Sequence, residues 1–91
     1  MVKAETIDES QDQITLRVRV KEGASETTHE VTVGKADLVR LGRAGEHATD
    51  FVSRCFTFLL AREPKESILS RFDVSVIARY FPEFEREIKR G

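Results

Sequence analysis

Ninety-one residues make room for one domain and are too few for two, since compact domains commonly run to about 100–150 residues. Fifteen Lys and Arg stand against sixteen Asp and Glu, which argues against the clustered positive field that phosphate binding needs. The 40% hydrophobic content with six Phe is enough for one core, and the longest strictly apolar run, Phe58–Ala61, is far short of the roughly 20 residues that span a bilayer.

The opening MVKAETIDES places Lys3, Glu5 and Asp8 where an export signal needs an apolar run. Cys55 is the single cysteine, so no internal disulfide forms; the expected location is the cytoplasm. Val2–Ile7 is predicted to be an edge strand ahead of the polar turn DESQ, because an isolated hairpin is marginal in water. That hairpin follows. Ile14, Leu16, Val18 and Val20 alternate with Thr15, Arg17, Arg19 and Lys21, the period-2 signature of a strand with one buried face. After the loop EGAS the alternation resumes, with His29, Val31 and Val33 set against Thr28, Glu30 and Thr32. Pairing Lys21 with Glu26 puts Leu16 opposite Val31, Val18 opposite His29 and Arg17 opposite Glu30. Apolar residues then share one face and opposite charges pair on the other, and a slip of one residue destroys both arrangements.

From Gly34 the period changes. KADLVRL predicts a short helix closed by Gly42, and Gly45 separates it from a longer helix over Glu46–Glu63. In the longer helix Ala48, Phe51, Val52, Cys55, Phe58, Leu59 and Arg62 follow 3,4 spacing, while Phe56 and Leu60 widen the apolar arc, so two sides of the helix need cover. Pro64 ends it and opens the next element. KESILSRF then predicts a short helix carrying Ile68, Leu69 and Phe72. Asp73 or Ser75 caps a further helix with Val74, Ile77, Ala78 and Phe81, and Pro82 starts a last amphipathic stretch with Phe84 and Ile88. The expected fold is α+β: an N-terminal antiparallel β-hairpin or three-stranded meander, packed on one face by a long central helix and short C-terminal helices. Residues 1–91 form one small domain, β-rich over 1–34 and helical over 35–91.

The stretch FDVSVIARYF resembles a helix-turn-helix reader in the Val74–Ser75 step at the start of its second helix. Its faces argue against DNA reading. Asp73 holds the turn position of the usual glycine, and bulky Leu69 stands where the two helices touch. Arg79 replaces an inward apolar residue, and Val76 and Ile77 stand where base-reading side chains belong.

For chemistry, His47 and Cys55 are separated by about 12 Å along one helix and form no nucleophilic dyad. Cys55 reads as a small core residue and His29 as a structural histidine. No pair among His29, His47 and Cys55 shows ligand spacing, and the five glycines are too scattered for a phosphate cradle. The expectation is a protein with no catalytic residues, no cofactor and no metal. Two surfaces remain. Tyr80 and Phe84, four apart, with Ile88 one further turn along, are the candidate interaction surface of a non-enzymatic protein-interaction module, which self-associates through that surface or a free sheet edge. The alternative is a nucleic-acid accessory protein using Arg17, Arg19, Lys21, Arg40 and Arg43. The expected partner is another protein or a second copy of the chain; a membrane is not expected, and nucleic acid is the lesser reading.

Overall fold

The computed structural model describes residues 1–90. Strands β1 (Val2–Glu9), β2 (Gln13–Glu22) and β3 (Ser25–Gly34) form an antiparallel meander. Helices α1 (Lys35–Leu41) and α2 (Ala48–Leu60) follow, and then a short strand β4 (Arg71–Asp73), which lies parallel to β3 and completes the sheet in the order β1-β2-β3-β4. Two short helices close the chain, α3 (Ile77–Tyr80) and α4 (Phe84–Arg90). The class is α+β.

The hairpin adopts the expected register, with Lys21 opposite Glu26, Val18 opposite His29, Arg17 opposite Glu30 and Leu16 opposite Val31. The strands run on to Glu22 and Ser25, so the EGAS loop narrows to Gly23 and Ala24. Gly23 has φ 62° and Ala24 is not in the left-handed region, which fits a type II′ turn and the twist of the flanking strands. The edge strand is also present and two residues longer than predicted, with an irregularity between Thr6 and Asp8.

Leu16, Val18, Val20, Val31 and Val33 are buried on the inner face of the sheet, where α2 lies against it. α2 is shorter than the predicted Glu46–Glu63. His47 has extended backbone at its N-cap, and the amides of Arg62 and Glu63 both donate to the Leu59 carbonyl, tightening the last turn before Pro64. Its apolar arc is wide, as expected. Phe56 meets His29 and Phe72 on the sheet side, while Phe58 packs edge-on against Phe81 and Phe84 on the other. Each fully buried ring contributes about 1.5–3 kcal/mol through removal from water. Gly42 ends α1 by donating to the Leu38 carbonyl at 2.8 Å; a Cβ there would stand 2.6 Å from that oxygen, so a side chain does not fit.

The helix predicted for KESILSRF is corrected. A single 3-10 turn covers Lys65–Ser67, and the chain then extends into β4. The described part of 35–91 is therefore not wholly helical; Gly91 lies outside the described residues. Distant groups pull this segment onto the sheet: the Glu30 amide donates to the Ser70 carbonyl at 2.8 Å, and His29 Nδ1 lies 2.8 Å from the Leu69 carbonyl oxygen. A parallel partner for β3 requires a long crossover, and α1 with α2 provides it. Beyond β4, Asp73 Oδ1 accepts from the Ser75 amide at 2.9 Å, as the predicted cap.

Candidate functional site

The C-terminal half opens a groove of about 290 Å³ between the end of α2, the 67–72 segment and α3, lined largely by Leu59, Ile68, Leu69, Val76, Tyr80 and Phe81. Its floor is fixed by burial: Ile68, Phe72 and Ile77 are 6%, 9% and 3% exposed. Its walls are not covered, since Leu69 and Tyr80 remain 48% and 67% exposed. The polar lining residues are Glu63, Ser67 and Tyr80. The volume falls at the low end of small-molecule pockets and suits one or two bulky apolar side chains.

This groove contains only one of the three residues expected to form the apolar surface. Tyr80 borders it; Phe84 and Ile88 are 1% and 4% exposed and belong to the core. Both are drawn inward by α2. The Phe84 ring sits 5.1 Å from that of Phe58, and the Ile88 carbonyl accepts from Arg54 at 2.7 Å, so α4 turns its apolar side onto α2. Leu69, with half-buried Val76 beside it, takes their place at the surface. The exposure of Leu69 had no sequence signal of its own, because it depends on the segment being extended rather than helical.

The groove wall is held from the hairpin side. His29 is buried, with its Nε2 2.9 Å from Thr27 Oγ1 and its Nδ1 on the Leu69 carbonyl. Lys65, 4% exposed, reaches Glu66 at 2.8 Å and Glu22 at 3.4 Å. Glu66 first and Glu22 second raise its pKa and keep the ammonium charged.

The basic positions lie elsewhere and largely in ion pairs. Arg17 and Arg19 meet Glu5 at 3.3 and 3.8 Å; Lys21 stands opposite Glu26. Arg40 makes two bonds to Glu85, 2.9 and 3.1 Å long, and one of 3.1 Å to Asp37. Arg43 is exposed, and its amide donates to Glu46. β1 thus brings an acid into the stripe that β2 alone makes basic, and phosphate contacts there would have to compete with existing pairs.

A second, open hollow of about 420 Å³ lies among Arg43, Ala44, Glu46, Asp50, Ser53 and Arg54. Its central charges satisfy each other. Arg54 donates to both Glu46 oxygens at 2.9 and 2.8 Å, and this bonding holds the Glu46 carboxyl below its ordinary pKa of 4.5.

His29, His47 and Cys55 are not brought together: His29 is on β3, His47 is exposed at the α2 N-cap, and Cys55 is 1% exposed within α2. Burial pushes the Cys55 thiol up to about 12. No helix among the described residues is long and apolar enough to cross a membrane. Comparison with family models, curated proteins and solved structures gives no match to this chain.

Proposed function

We propose that the chain is a non-enzymatic protein-interaction module whose working surface is the groove bordered by Leu69 and Tyr80. The observation that carries this reading is the pairing of a buried apolar floor with two large exposed side chains at its rim. Such patches, when contiguous and rimmed by polar groups, are where partner side chains dock. The lining chemistry favours a partner segment offering one or two bulky apolar side chains and a basic residue to meet Glu63.

The test is site-specific photocrosslinking from position 80 in cells, with an equivalent probe at exposed Arg86 as the control. The expected result is a discrete adduct at position 80 and none at 86, abolished by Leu69→Asp in a chain whose circular dichroism matches wild type. An adduct pattern shared by both positions, or one indifferent to Leu69→Asp, would overturn the reading. Phe84→Asp is unsuitable for this purpose because it places a charge in the core.

A further inference from the structure

We propose that β1 is a dimerisation edge, joining two copies of this chain into one continuous antiparallel sheet about a twofold axis through Ala4.

The direction of the backbone groups sets the possibility. Lys21 donates to the Met1 carbonyl at 2.8 Å, and the Met1 nitrogen donates to the Lys21 carbonyl at 2.6 Å, so Met1 and Lys21 are a hydrogen-bonded pair. Such pairs alternate along an antiparallel ladder. Lys3, opposite Arg19, and Glu5, opposite Arg17, therefore also turn their N–H and C=O toward β2. Val2, Ala4 and Thr6 turn theirs away from the sheet. β1 is the outermost strand, so those groups form an open template of the kind sheets normally cover or blunt. The opposite edge is already blunt, because β4 is three residues long.

The occupant follows from the order of charges. In an antiparallel pair of β1 strands centred on Ala4, Val2 faces Thr6, Ala4 faces Ala4, and Lys3 of each copy faces Glu5 of the other. The outward backbone groups of Val2, Ala4 and Thr6 are then the ones that exchange hydrogen bonds. Lys3 and Glu5 occupy the close, non-hydrogen-bonded positions, where opposite charges attract most. Sliding the strands to the next register with the same hydrogen-bonding parity sets Lys3 against Lys3 in one direction. In the other direction it sets Glu5 against Glu5 and runs the ladder into the irregularity between Thr6 and Asp8. Only the Ala4-centred register satisfies backbone and charge together. It also covers Val2 and Ala4, which pack half-buried against the core at the margin of the sheet. A twofold arrangement of this kind closes on itself.

This inference is independent of the groove. Sedimentation velocity and light scattering of the full chain over a wide concentration range should give a species of twice the 10.4 kDa chain mass. Ala4→Pro removes an N–H that faces the edge and not the β2 ladder, so it should give monomers with unchanged circular dichroism. Lys3→Glu and Glu5→Lys should each weaken self-association about tenfold or more, because each confronts like charges twice across the axis. An equimolar mixture of the two variants should restore a heterodimer, since every Lys then meets a Glu. A wild type that stays monomeric at all concentrations would overturn the proposal. So would a dimer indifferent to Ala4→Pro, or single variants that dimerise as well alone as when mixed. If Ala4→Pro unfolds the chain, the mixing experiment with the two charge variants decides the question.

Discussion

The β2–β3 hairpin and the segment from Pro64 to Asp73 lie side by side on the sheet and are held in different ways. In the hairpin the partner of each residue follows from the order of residues along the ribbon itself: alternation sets the face, Gly23 sets the turn, and Lys21 with Glu26 and Arg17 with Glu30 set the register. The Pro64–Asp73 segment has three residues of strand and one 3-10 turn, and its bonds reach back to Glu22, His29 and Glu30. One region specifies itself; the other is placed by the first. The groove is built on the second, so its shape depends on the hairpin being formed.

The largest expected effect comes from cutting the junction between the two regions. Phe56 lies 5.3 Å from the His29 ring and 6.1 Å from that of Phe72, and Phe56→Ala should cost about 3–5 kcal/mol in urea denaturation. A cost below about 1 kcal/mol would mean that the two regions are not coupled through this ring.

Next comes the polar tie within the helical layer. Arg54 joins Glu46 to the Ile88 carbonyl, so Glu46→Gln should cost about 1.5–3 kcal/mol at neutral pH. The sign of its pH dependence follows from the depressed carboxyl. A folded pKa below 4.5 contributes stability that is present above about pH 4.5 and is lost as pH falls through the folded value. Thermal melts of wild type against pH should therefore fall on the acid side more steeply than those of Glu46→Gln.

A sharper separation of hairpin from segment is offered by His29→Ala, which leaves the Leu69 carbonyl without its ring partner. It should cost about 1–3 kcal/mol. Hydrogen exchange should speed up over residues 70–73 while the β2 amides keep their protection; uniform acceleration of both would erase the distinction. The smallest change is Arg17→Glu on the outer face, where the side chain is 43% exposed beside Glu5. Like charges opposite each other should cost about 0.5–1 kcal/mol, with no change in exchange over 70–73.

The hairpin register, the edge strand, the Gly42 stop and the Asp73 cap were legible in the sequence because each rests on contacts within a few residues or on strict alternation. The groove was only partly legible. Tyr80, expected at the surface, is exposed there, but Phe84 and Ile88 show the same i,i+4 spacing whether α4 faces solvent or folds back on α2. Phe58 and Arg54 decide which, from more than twenty positions away. Leu69 belonged to an apparent helical stripe until His29 and Glu30 drew its neighbours into β4. On the outer face the pairing of Arg17 with Glu30 and of Lys21 with Glu26 was legible, but the salt bridges of Arg17 and Arg19 to Glu5 were not, because Glu5 lies on a different strand.

By itself the sequence determined the class of fold, the pairing of the β2–β3 hairpin and the wide apolar arc of the central helix, since period, turn chemistry and charge order act within one ribbon or one helix. The tertiary structure alone decided that residues 71–73 become a strand, that Phe84 goes inward and Leu69 outward, and that Glu5 bridges Arg17 and Arg19. Those outcomes depend on which distant groups meet, and a short segment with weak local preference takes whichever conformation satisfies them.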